Sequence, residues 1–163
     1  MASPVERMMV YIDGTEESLT AVEYAVLLAS SNRTDLVACY VVNTRAIGEL
    51  VRTRIFLESE QEEYSRDLEA DADRYLNHAR RVAESRDVTM KTIKRRGSIH
   101  QEILKVVEEE EIDLLILGEL AHVRSRRDEF YNEAERAMRS VRCSVLIVKD
   151  EERVASLFGR IEH

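Results

Sequence analysis

Asp113-Leu114-Leu115-Ile116-Leu117-Gly118 and Cys143-Ser144-Val145-Leu146-Ile147-Val148 bracket the stretch whose reading decides the fold. Each is an apolar run without polar alternation, too short for a helix of ordinary length, which is how strands buried on both faces look in a sequence. Between them come a polar, arginine-rich segment and then Ala134, Ala137, Met138 and Val141 at helical spacing. Asn132, with Glu135 three residues on, predicts an N-cap and its reciprocal partner. Strand, loop, helix, strand is the right-handed crossover unit of a parallel sheet. Ligands of such sheets sit beyond the carboxyl ends of the strands, so the loop from Gly118 to Tyr131 is the first place to look for a site.

Working back to the start, Met8 to Ile12 predicts a first strand ended by the turn pair Asp13-Gly14. Thr15 is placed to cap the next helix, Glu16 and Glu17 suit the positive end of its dipole, and Leu19, Val22, Ala25, Val26 and Ala29 form its apolar face. Leu36 to Val42 completes the first crossover unit as a second buried strand. Residues 43–59 leave two alternatives open, a short amphipathic segment carrying Ile47, Leu50, Val51 and Ile55, or a loop lined by them. A long helix is predicted from about Glu60 to Arg86, with Tyr64, Leu68, Ala72, Tyr75, Ala79 and Val82 on one face. Val88 to Ile93 predicts a third strand near an edge of the sheet. Ser98 and Gln101 fit a capping box for a helix from Ile99 to Glu108, whose Ile99, Ile103, Val106 and Val107 face the sheet.

The 163 residues, 44% hydrophobic and 34% charged, suit one globular domain with a real core. The expected division is 1–149 for that domain and 150–163 for an amphipathic C-terminal tail, in which Asp150 caps a helix bearing Val154, Leu157, Phe158 and Ile161. A formal net charge of -8 argues against a nucleic-acid or anionic-membrane partner, because the long-range field repels polyanions. No apolar run approaches the ~20 residues that span a bilayer. Met1 to Arg7 lacks a basic region followed by an apolar core, so no signal peptide is expected and the cytoplasm is the expected location. Cys39 and Cys143 fall inside strands and read as small, inert core residues rather than metal ligands.

Val10 to Ser18, Gly97-Ser98-Ile99, Asp113 to Gly118 and Val145 to Val148 together resemble, in order, the signatures of the universal stress protein family. The resemblance covers about Met8 to Val148. It implies a single open five-stranded parallel sheet in order 3-2-1-4-5, an α/β, Rossmann-like fold with helices on both faces, and a homodimer, which the apolar last strand suits by pairing its edge with a second copy. ATP-binding members carry Gly-x-x-Gly, nine residues, then Gly followed by Ser, Thr or Asn, with an aspartate on the adenine side. Carried onto this chain, the positions are Gly118, Ala121, Tyr131 and Asn132, with Asp13 as the aspartate. Tyr131 sets a ring where a glycine should let phosphate approach the backbone. The expectation is a degenerate motif: a binding and regulatory module of stress response, with weak or no binding of ATP or another adenine nucleotide, and no certain cofactor. The alternative is a small-anion site in which Arg124, Arg126 and Arg127, beside His122, replace the glycine nest as a guanidinium clamp; Glu119, Asp128, Glu129 and Glu133 oppose it.

No nucleophile with an adjacent base appears at the carboxyl edge, so catalysis is not expected. An adenylating or ATP-hydrolysing enzyme of related architecture needs a phosphate loop after the first strand, where Glu16 and Glu17 would repel phosphate instead. A phospho-receiver needs an aspartate ending its third strand, which here runs Thr92-Ile93-Lys94-Arg95. A flavin carrier needs a hydroxyl-rich first loop.

Overall fold

Strand β1 (Arg7–Ile12) lies at the centre of the molecule, with Met8, Met9, Val10 and Ile12 fully buried. The structure, a computed structural model, describes residues 3–54, 57–120 and 132–159. On one side β1 pairs in parallel with β2 (Asp35–Val42), and β3 (Met90–Arg96) pairs beyond it. On the other side β4 (Leu114–Gly118) joins β1, and β5 (Ser144–Val148) closes the sheet. The order is 3-2-1-4-5, all parallel, as the crossover pattern requires.

Both faces are covered, which is why β1, β2 and β4 show no polar alternation. Met8, Val10 and Ile12, with Leu36, Ala38, Tyr40 and Val42, meet helices α1 (Glu16–Asn32) and α3 (Glu58–Glu84). Met9, Tyr11, Val37, Cys39, Val41, Leu115 and Leu117 face α4 (Ile99–Glu109) and α5 (Glu133–Ser140). A short α2 (Thr44–Arg52) follows β2, and α6 (Glu151–Phe158) ends the described chain against α1. Asp113, one residue before β4, accepts from the backbone N–H of Glu6 at 2.9 Å and of Arg7 at 3.2 Å, and so fixes the register of β4 beside β1.

Several expectations are revised. The third strand starts at Met90 and runs through Arg96, because Arg95 and Arg96 continue the ladder opposite Val41 and Val42. An edge strand needs only its backbone for that, and its cations pair outward: Lys94 with Glu69 and Asp73 at 2.9 Å each, Lys91 with Glu110 at 2.7 Å, Arg95 with Glu109, and Arg96 with Glu69. On α3, Ala72, Leu76, Ala79 and Ala83 are buried and Leu68, Tyr75 and Val82 pack partly buried against the same core, but Tyr64 is 40% exposed. The segment after β2 is helical through Arg52, with Ile47 buried. Among the described tail residues Val154 and Ala155 are buried and Leu157 is exposed, Ile161 lying outside the described residues; Asp150 caps the helix through the Arg153 N–H at 3.0 Å, and the Arg86 guanidinium lies over the Phe158 ring. Both cysteines are free thiols, and burial pushes Cys39 up to about 12.

The Ser98–Gln101 capping box does not form. Ser98 makes no side-chain cap on its own helix. Its hydroxyl donates instead to Glu133 Oε1 at 3.3 Å, and the Ile99 N–H donates to Glu133 Oε2 at 2.8 Å. The carboxylate that caps α4 therefore comes from a residue 34 positions further along the chain.

Candidate functional site

Beyond the carboxyl ends of β1 and β2 the chain leaves a cleft of about 220 Å³. Tyr11 and Asp13 line it from β1 and the turn after it, and Tyr40, Val41, Val42 and Asn43 from the end of β2. Ile47 of α2, Tyr64 and Leu68 of α3 and Ile99 at the start of α4 complete the walls. Among the described residues the lining offers three phenols, one carboxylate and one carboxamide, with no lysine, arginine, histidine or cysteine.

Asp13 closes the turn onto α1: its Oδ1 accepts from the Thr15 N–H at 3.0 Å and the Thr15 hydroxyl at 2.6 Å. Its own N–H donates to Ser18 Oγ at 3.3 Å, while Thr15 Oγ1 caps α1 through the Ser18 N–H at 3.2 Å. Gly14 sits at φ +85, and a Cβ there would lie 2.8 Å from the Tyr75 ring, so conformation and space both demand glycine. Tyr75 in turn stacks on Tyr40, with centroids 6.2 Å apart and planes 7° from parallel.

Tyr11 is 4% exposed, and its hydroxyl finds no hydrogen-bond partner among the described residues. Burial first, then the charges of Asp13, Cys39, Tyr40 and Glu133, hold its phenol well above the ordinary value. Tyr40 is raised as well, by burial and then by Asp71 and Asp13. At neutral pH both phenols are uncharged and able to donate a hydrogen bond.

The residues expected from the glycine motif are differently employed. Gly118, at the end of β4, lies against the first turn of α1, where a Cβ would stand 2.4 Å from the Glu17 carbonyl oxygen and 2.8 Å from the Ser18 nitrogen. Asn132 caps α5, its Oδ1 accepting from the Glu135 N–H at 3.1 Å and its amide donating to the Glu135 carboxylate at 3.3 Å. Asp13 and Gly118 thus come together at the two sides of residues 17–18, while Asn132 and Glu133 stand beside the start of α4. Ala121, Arg124, Arg126, Arg127 and Tyr131, and His122 with them, lie outside the described residues. Among the described residues no group of three or more His, Cys, Asp or Glu is placed to hold a metal ion. Tyr11, Tyr40, Tyr64 and Ile99 were not expected at the site; the usable signal was Tyr11, two residues before Asp13 and so on the same side of the strand.

The chain matches the model of the Universal stress protein family over residues 4–149. It is 26% identical over 144 residues to Universal stress protein MJ0531 of Methanocaldococcus jannaschii, an alignment covering 88% of this chain and 82% of that protein. A universal stress protein solved in complex with cAMP superposes with TM-score 0.67 at 18% identity, covering 90% of this chain and 98% of that one. A universal stress protein family protein of Arabidopsis thaliana with AMP bound gives TM-score 0.61 at 15% identity, over 88% and 91% of the two chains. At these identities the two structures speak to the fold.

Proposed function

Since the chain belongs to the universal stress protein family, we propose that it is a regulatory module that takes an adenine-type ligand in the cleft beyond β1 and β2, binds ATP weakly, and performs no catalysis. The observation that carries this is the cleft itself, at the strand ends where open α/β sheets hold their ligands, walled by aromatic rings and bordered by Asp13. A planar base would lie among the rings and Ile99, an exocyclic amine would donate to the Asp13 carboxylate, and a ring nitrogen would accept from a phenol. Family members with cAMP and with AMP support the ligand class. Weak ATP binding is supported by Tyr131 at the position of the motif's third glycine.

The module is taken to be a cytoplasmic homodimer. Among the described residues no helix is long and apolar enough to cross a membrane. β5 has no charged side chain, and its Val145, Leu146 and Ile147 are only half-buried, whereas the opposite edge strand carries four paired cations. Charge blunts one edge and leaves the other suited to pair across a two-fold axis. A monomer mass in light scattering at micromolar concentration would remove the dimer.

Calorimetry with AMP, cAMP and ATP tests the ligand. Adenine ligands are expected to bind, ATP the weakest, with the affinity reduced about tenfold by Asp13→Ala, the worth of one hydrogen bond to a charged group. Micromolar ATP binding would overturn the weak-ATP part. An affinity for AMP and cAMP that is undetectable, or unmoved by Asp13→Ala, would overturn the site.

A further inference from the structure

We propose that Glu133 is a built-in anion, occupying the anion position at the start of α4 and thereby selecting ligands without a phosphate tail, a nucleoside or free base in preference to a nucleotide. The selectivity rests on the adenine-type site proposed above; the occupancy does not.

The first free N–H groups of a helix point at whatever lies before it and favour negative charge. At α4 the first of these donors, the Ile99 N–H, is spent on a side chain. The Ile99 N–H donates to Glu133 Oε2 at 2.8 Å and the buried Ser98 hydroxyl to Oε1 at 3.3 Å, so both carboxylate oxygens are held, as two oxygens of a phosphate would be. Ile99 is also a wall of the cleft, which sets the carboxylate at its border. Any phosphate approaching α4 must displace Glu133 or lie beside it.

The cleft supplies the independent observation. Tyr11 is 4% exposed, lines the cleft, and keeps a hydroxyl that no described residue engages. Opening on the cleft, that donor can be met there by an acceptor from a ligand or water. Asp13 supplies the complementary acceptor at the same place, with one oxygen already committed to Thr15. The edge of a purine or similar heterocycle presents both an acceptor and a donor; a phosphate presents acceptors only, to a cleft bordered by two carboxylates and lined by no described cation. Its size agrees: about 220 Å³ falls below the roughly 300–1,000 Å³ usual for sites of drug-sized ligands.

The test titrates wild type, Glu133→Ala and Glu133→Gln with adenosine, AMP and ATP by calorimetry, and separately follows the Ile99 amide by NMR during addition of sodium pyrophosphate. Wild type is expected to bind adenosine at least about tenfold more tightly than ATP, and both variants, in which Tyr131 remains, to lower that ratio by at least about threefold. Pyrophosphate should leave the Ile99 amide unmoved in wild type and shift it saturably in the variants. Glu133→Gln keeps the side chain's size, so a fold damaged by Glu133→Ala still leaves a readable variant. Equal binding of adenosine and ATP by wild type overturns the selectivity. An Ile99 amide that ignores pyrophosphate in both variants overturns the occupancy. If no adenine ligand binds any form while pyrophosphate enters the variants, the adenine site falls and the assignment of Glu133 as the resident anion stands.

Discussion

At the ends of β1 and β2 the chain leaves a cleft in which Tyr11 keeps an unengaged hydroxyl, whereas at the end of β4 and the starts of α4 and α5 its own groups meet each other. Gly118 is filled by the backbone of α1, Asn132 by Glu135, and the N–H of Ile99 by Glu133. Among the described residues, one half of the carboxyl edge leaves space and the other is filled by the protein's own groups. The lesson concerns motifs: Gly118 and Asn132 occupy positions of a phosphate-binding pattern, yet each has a structural employer in this chain. Substitutions of Gly118 and Asn132 should therefore register as stability.

The strongest way to break that contrast is Gly118→Ala. A Cβ 2.4 Å from the Glu17 carbonyl oxygen cannot be accommodated by rotating a side chain, since the obstacle is backbone. Overpacking of a well-filled site costs about 1–3 kcal/mol, and a backbone clash belongs at the upper end. A loss of about 3 kcal/mol corresponds to a fall in Tm of roughly 10 °C for a chain of this size. Thermal unfolding measures it; a fall under about 3 °C would mean that α1 does not press on Gly118 and that the glycine is free for a ligand.

Asn132→Ala should have a smaller effect of the same kind. Losing an N-cap side chain costs about 1 kcal/mol, and Asn132→Asp, which keeps the acceptor for the Glu135 N–H, should recover most of it. Urea unfolding of the two variants is the measurement. Equal stability of the alanine and wild-type proteins would show the cap to be idle and return Asn132 to the pool of ligand-binding residues.

Much of this contrast was legible in the sequence because its causes are local. The apolar runs of β1, β2, β4 and β5 and the caps at Thr15, Asn132 and Asp150 each depend on residues within a few positions, and each appears as expected. What escaped is long-range. Ser98 and Gln101 read as a capping box, but Glu133 takes the N–H that the box was to serve, and nothing near Ser98 announces a carboxylate 35 positions away. Arg95 and Arg96 look unlike strand residues because their place in β3 is set by pairing with β2 and by acids on α3 and α4. Tyr11 and Tyr40 read as strand core, and they are core; that they also line a cleft depends on where α2, α3 and α4 stop.

Tyr11→Phe should have the smallest effect at neutral pH and the most informative one at high pH. No described residue bonds the hydroxyl, so removing it forfeits no hydrogen bond to a described residue and should change stability by less than about 0.5 kcal/mol at pH 8, below the usual worth of a hydrogen bond. The alkaline limb has a definite sign. The folded phenol is raised well above its ordinary value by burial, and then by Asp13, Cys39, Tyr40 and Glu133, while the unfolded one titrates near the reference value of about 10. Below that pH both states are protonated and the contribution of Tyr11 is constant. Above it the unfolded state sheds a proton that the folded state keeps, and wild type loses stability with rising pH. The loss attributable to this one group approaches about 1.4 kcal/mol per pH unit until the folded phenol ionises too. Tyr40, also raised, adds the same slope to both proteins and cancels in the comparison. Urea unfolding of the pair at pH 8 and at about pH 11 should therefore find them nearly equal at the first and the phenylalanine variant more stable at the second. A cost near 2 kcal/mol at pH 8 would reveal a native partner for the hydroxyl, and parallel decline at high pH would mean that the phenol is not shielded; either result would close the half of the edge that the cleft leaves open.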